Sequence, residues 1–228
     1  MMLINTITLK LEEFFGTIPD YAILSHAWAG GEVSFEEFMQ CRPALQATQG
    51  FAKIAAACDK ARSHGMAYCW VDTCCIDKSS SADLSESTNS MFNWYRKSQA
   101  CYVFLADFDL DVDAEESVAS RIAKCRWFTR GWCLQELIAP THLRFYDCKW
   151  RCFGTKESLR KYISEISGVA QDILNDSSHL HTVPVAKRMS WSSRRNERVE
   201  DMAYSLLGIF DINMPMLYGE GDKAFIRL

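Results

Sequence analysis

The chain has 228 residues, 48% of them apolar and 24% charged, so it can bury a sizeable core and does not have the composition of a disordered chain. Lys and Arg number 25 against 29 Asp and Glu, a formal net charge of -4. That balance argues against non-specific nucleic-acid binding, which needs clustered cations, but it allows a small anionic ligand held by one or two arginines.

Four short runs have strand character and end in polar or glycine punctuation. They are residues 21–28, stopped by Gly30 and Gly31, then 67–71, 100–105 and 143–146. The first and third are almost continuously apolar, as in a parallel strand covered on both faces. Between them, the spacing predicts helices over residues 51–63 and 84–98, and a third from a Thr129 cap through Ile138 to Pro140. This alternation predicts an α/β domain with a mainly parallel, flavodoxin-like sheet flanked by helices. Past Trp150, helices are expected at 159–174 and 199–210, with a polar loop at 175–184 and a basic, aromatic run at 189–198. This half reads as a helical elaboration, and the apolar end at Leu228 suggests a module of a longer protein.

The longest near-apolar run, residues 202–210, is too short to cross a bilayer. Residues 1–15 do not read as a secretory signal. A soluble, cytoplasmic protein without a membrane span is expected. The ten cysteines, at positions 41, 58, 69, 74, 75, 101, 125, 133, 148 and 152, form no C-x-x-C pair. They are read as buried reduced thiols, with no metal site.

Ligands of open parallel sheets bind beyond the carboxyl ends of the strands. That rule selects Ser25, His26 and Trp28 after the first strand, Asp72 after the second, and Trp132 and Glu136 on the helix after the third. Trp132 and Glu136 are four apart, and a carboxylate beside an indole suits a site where positive charge develops. Spacing alone favours an ordinary solvated glutamate on an amphipathic helix. Ser25 and His26 point to opposite faces of their strand. No nucleophile elbow, Walker loop or G-x-G-x-x-G fingerprint is present.

Several ordered segments carry a resemblance. They are Tyr21-Ala-Ile-Leu-Ser-His-Ala-Trp28, Tyr68-Cys-Trp-Val-Asp-Thr-Cys-Cys-Ile-Asp77, Met91-Phe-Asn-Trp-Tyr95 and Trp127-Phe-Thr-Arg-Gly-Trp-Cys-Leu-Gln-Glu136. The tail segments 198–210 and 214–221 extend it. Over nearly its whole length the chain resembles the fungal heterokaryon incompatibility (HET) domain, with Lys78 where many members carry Gln. HET domains in turn resemble TIR domains.

The resemblance implies one HET domain over residues 1–228, with a TIR-like core at 21–150 and the helical elaboration at 151–228. It implies the N-terminal module of a larger receptor with a fused or partner nucleotide-binding oligomerisation module, and self-association. By analogy with TIR enzymes it implies a cell-death effector of fungal innate immunity that cleaves NAD, or a related dinucleotide, as substrate and without a cofactor. Glu136 would be the catalytic residue. Ser25, His26 and Trp28 would line the nicotinamide or ribose end, Asp72 would orient that loop or bind a hydroxyl, Trp132 would pack, and either Arg130 or the segment with Arg194 and Arg198 would meet the pyrophosphate. The alternative is a non-catalytic signalling and oligomerisation module that triggers death through partners; a cysteine hydrolase is a weaker third idea.

Overall fold

The computed structural model describes residues 1–40, 42–111, 116–193, 195 and 198–228. Seven strands form one sheet: β1 (Met2–Asn5), β2 (Leu11–Glu13), β3 (Tyr21–His26), β4 (Tyr68–Trp70), β5 (Ala100–Phe104), β6 (Leu143–Tyr146) and β7 (Cys152–Thr155). Their spatial order is β2-β1-β4-β3-β5-β6-β7. The four central strands β4, β3, β5 and β6 are parallel, and β2, β1 and β7 add antiparallel edges. Numbered among themselves, the parallel strands read 2-1-3-4, a doubly wound order whose direction reverses at β3.

The expected α/β class is therefore observed, with mixed rather than parallel edges. Every residue of β3 and β5 is buried, which explains their continuous apolar character. The edge strands carried weaker signals because they are three or four residues long and partly exposed. β7 also places a strand inside the segment expected to be purely helical.

Helices form where capping and apolar spacing agree. Thr48 caps the helix Gln49–Ser63 by accepting from the Phe51 amide, and Gly65 at φ 79° carries the chain away. Ser80 caps Ser81–Lys97 in the same way through the Asp83 amide. Four expectations are corrected. Thr129 caps no long helix: it ends the short helix Arg126–Thr129, its hydroxyl donates back to the Arg126 carbonyl, and Arg130 is extended before the helix Cys133–Ile138. The helix expected at 159–174 divides into Arg160–Ser167 and Gln171–Asn175, because Gly168 at φ 75° adopts the left-handed conformation. The one expected at 199–210 divides into Val199–Tyr204 and Leu207–Phe210. The polar stretch expected as a loop at 175–184 contains the 3-10 helix Ser177–Thr182.

The core beneath and above the sheet is rich in aromatics, including Trp70, Tyr95, Tyr102, Trp127 and Phe145. Trp191, Leu206 and Ile209, from beyond residue 150, join the same cluster. Cys58, Cys69, Cys74, Cys75, Cys101, Cys125 and Cys133 are buried and free, whereas Cys148 is half-buried and Cys152 exposed. Cys41 lies outside the described residues. Burial holds the Cys74 and Cys101 thiols well above their usual range and pushes Cys125 up to about 12, so these act as small apolar side chains. Among the described residues, no helix is long and apolar enough to cross a membrane.

The loop after β3, which carries Trp28 and Glu32, is seated against the start of the helix Gln49–Ser63. A methyl group at Gly50 would stand 2.3 Å from the Gly31 carbonyl oxygen, a backbone atom that cannot rotate aside. Gly50→Ala is therefore expected to destabilise the fold by about 2 kcal/mol, measured by denaturant unfolding, in the range for forced overpacking.

Candidate functional site

The reversal of strand order at β3 leaves a crevice beyond the carboxyl ends of β3, β4 and β5. A cavity of about 210 Å³ occupies it. His26, Trp28, Asp72, Lys78, Arg130 and Glu136 form one part of its lining, and Arg198, Asp201, Met216 and Tyr218 come from the last third of the chain.

Glu136 sits on the helix Cys133–Ile138, whose six residues are all buried. Cys133, Leu134, Leu137 and Ile138 form a buried apolar stripe, and Glu136 is buried as well, at 5% exposure. At the far end of this helix the buried Lys156 ammonium donates to the Ile138 and Pro140 carbonyls, at 2.9 and 2.8 Å. Those bonds satisfy helix-end acceptors and hold the helix in place. The same burial lowers Lys156 to about 8.

The carboxylate is oriented by a directed hydrogen-bond chain. The Trp127 indole N–H donates to Ser25 Oγ at 2.7 Å, and the Ser25 hydroxyl donates to Glu136 Oε2. An indole N–H can only donate, so it fixes the direction in which the serine proton points. Tyr95 lies against the same carboxyl group while its hydroxyl donates to the Leu24 carbonyl at 3.1 Å. Burial pushes Glu136 up to about 7, with the negative charge of Asp72 adding to the rise; the Ser25 hydrogen bond and the Arg130 charge work against it. The group is thus poised between its two protonation states near neutral pH.

His26 is almost wholly buried on the opposite face of β3. Its Nε2 lies 3.4 Å from Glu32 and its Nδ1 lies 3.8 Å from Asp72. Neither ring nitrogen has a hydrogen bond among the described residues. Glu32 is drawn down to about 2 although burial opposes this, because His26, Lys53 and the Ala29 amide all surround it. Trp28 is 38% exposed, and its indole N–H donates to Asp72 at 2.7 Å. The Lys78 ammonium stands 3.8 Å from the centroid of that indole, and the Arg130 guanidinium 5.2 Å. Opposite, Asp201 accepts from the Trp132 indole at 3.1 Å and from the Tyr218 hydroxyl at 2.9 Å.

The fold therefore brings Glu136, His26, Trp28, Asp72, Arg130, Trp132 and Arg198 to one cavity. Ser25 differs from expectation: it is fully buried behind the wall and touches the cavity only through Glu136. Arg194 lies outside the described residues. Sequence reasoning did not single out Trp127, Tyr95, Lys78, Met216 or Tyr218 for this site. Trp127 stood five positions before Trp132 in the same motif, but helical spacing cannot reveal a partner 102 residues away. Tyr218 stood in a Met-Pro/Gly-Glu-Gly turn with no periodic signal.

The chain is similar in sequence to known proteins over most of its length. The sequence model of the family "Heterokaryon incompatibility protein (HET)" matches residues 21–114, from the start of β3 to beyond β5. The "Vegetative incompatibility protein HET-E-1" of Podospora anserina is 46% identical over 220 residues, a span of 93% of this chain and 16% of that relative. No solved structure matches the chain significantly. On the family match and this identity, the chain belongs to the heterokaryon incompatibility (HET) family.

Proposed function

We propose that the chain is a cell-death effector module of fungal incompatibility that hydrolyses NAD at the nicotinamide–ribose bond. The observation that carries this reading is Glu136: a carboxyl group buried at the switch point of a doubly wound sheet, lining a cavity, with its proton balanced near neutral pH. The incompatibility role is drawn from the named relative, and the chemistry from the resemblance of the Trp-Cys-Leu-Gln-Glu helix to that of TIR enzymes. The relative is several times longer than this chain, which supports a receptor in which further modules cluster the effector.

The chemistry needs little from the protein beyond position and charge. The C1′–N1 bond breaks and its electron pair goes to the pyridinium nitrogen, so nicotinamide leaves neutral. The ribosyl carbon is left as an oxocarbenium-like cation. An ionised Glu136 in a site shielded from water stabilises that cation more strongly than it would in bulk solvent. Water then adds to C1′ and releases one proton, giving ADP-ribose. Ser25 and Trp127 hold the carboxylate against rotation; His26 and Asp72 present polar atoms to the ribose.

Nicotinamide release from NAD by the artificially clustered chain tests the reading, and Glu136→Ala is expected to reduce it by at least about 100-fold. Turnover that survives this change, or cell killing with unchanged NAD levels, would favour the non-catalytic alternative. Activity requires the carboxylate, so the rate is expected to rise with pH along a one-proton limb near 7. Ser25→Ala removes a donor to the ionised form and should move that limb upward by about one unit.

The same shift predicts a stability cost. Between pH 4.5 and about 7 the folded chain retains the Glu136 proton while the unfolded chain loses it, so stability falls as pH rises through this window. The loss is on the order of 3 kcal/mol. Glu136→Gln should abolish this part of the pH dependence and unfold at higher denaturant concentration than the parent at pH 8.

A further inference from the structure

The cavity beside Glu136 is too small to enclose a whole dinucleotide: its 210 Å³ falls below the ~300–1,000 Å³ of typical small-molecule sites. A second cavity of about 290 Å³ lies next to it, and the two share the wall formed by Trp28, Ile76 and Lys78. The second is lined by Glu32, Glu36 and Asp77, with Lys78 its only cationic side chain among the described residues. Glu32 is committed to Lys53, and Asp77 Oδ1 accepts from Ser79.

Two features of this ridge have donors or acceptors not yet spent. Lys78 rests its ammonium on the Trp28 ring, and no hydrogen bond or ion pair among the described residues occupies it. Thr73 also lines the second cavity; it is 3% exposed, and its hydroxyl has no hydrogen-bond partner among the described residues. A buried hydroxyl left unsatisfied is costly unless something fills it.

We propose that the substrate straddles the Trp28–Lys78 ridge, with the scissile half in the Glu136 cavity, the diphosphate on Lys78, and the second nucleoside in the acidic cavity. This rests on the NAD reading and goes beyond it by naming the second subsite and its selectivity. The Lys78 ammonium supplies a point charge for the diphosphate at the lip between the two cavities. In the second cavity, the Thr73 hydroxyl and the carboxylates of Glu36 and Asp77 suit a ribose diol, which both donates and accepts. They repel a ribose carrying a 2′-phosphate, the charge logic by which an acidic residue selects NAD over NADP. Lys78, the departure from the Gln of many relatives, is on this reading a specificity-determining residue.

The test measures ADP-ribose binding by calorimetry, with no turnover required, alongside nicotinamide release from NAD and NADP. Lys78→Gln and Thr73→Val should each weaken ADP-ribose binding by about tenfold, with Thr73→Ser retaining it. The parent chain should prefer NAD over NADP, and Asp77→Lys should shift that ratio toward NADP by about tenfold. Unchanged ADP-ribose binding in both Lys78→Gln and Thr73→Val, or equal processing of NAD and NADP by the parent, overturns the two-cavity site. Either result leaves a Glu136-dependent release of nicotinamide standing. Conversely, ADP-ribose binding that depends on Lys78 and Thr73, in a chain that releases no nicotinamide even when artificially clustered, supports the two-cavity site and overturns the cleavage reading.

Discussion

The structure turns on a carboxyl group taken out of water at the one point where the sheet reverses its winding. Burying Glu136 is unfavourable to its ionised form, and the surroundings offset part of that cost with a specific set of partners. Ser25 supplies a hydrogen bond, Trp127 fixes the direction of that bond, and Arg130 adds a compensating charge. Ser25 comes from β3, and Trp127 and Arg130 come from the short helix Arg126–Thr129 and the residue that follows it. The carboxylate therefore depends on the register of β3 against β5, on the short helix Arg126–Thr129, and on the Lys156 bonds that hold its own helix.

The two faces of β3 divide the work. Ser25 faces Glu136, a single buried titratable group to which it donates a hydrogen bond. His26 faces a cluster of fixed charges: Glu32, Asp72 and, one step further, Lys53. The alternation of side chains along a strand makes this separation automatic. It also couples the faces, because Asp72 reaches Trp28 by a hydrogen bond and raises Glu136 through space.

Much of the central architecture was legible in the sequence. The strands at 21–26, 68–70, 100–104 and 143–146 announce themselves because a buried parallel strand needs nearly unbroken apolar residues. The edges were not legible, because three-residue strands such as Leu11–Glu13 alternate too briefly to stand out. Helix breaks were missed where one glycine, Gly168, stops a pattern that remains apolar on both sides. Strand-end logic located His26, Asp72 and Glu136, since the ends of parallel strands converge by geometry. It placed Ser25 on the cavity wall, where the structure puts it behind, because the rule gives position along the strand but not depth. Lys78, Met216 and Tyr218 were out of reach: their place in the cavity depends on how distant loops fold back, which no local pattern encodes.

The Asp201 bridge between Trp132 and Tyr218 closes the cavity with a segment that lies beyond the residues matched by the family model. The carboxyl group and its hydrogen-bond chain are welded into the sheet, whereas the opposite wall is a loop tied down by a few polar contacts. Such a division lets substitutions reshape the outer wall while the Glu136 hydrogen-bond chain stays untouched. Variation in that surface stretch would alter the mouth of the cavity without disturbing the buried carboxyl group behind it.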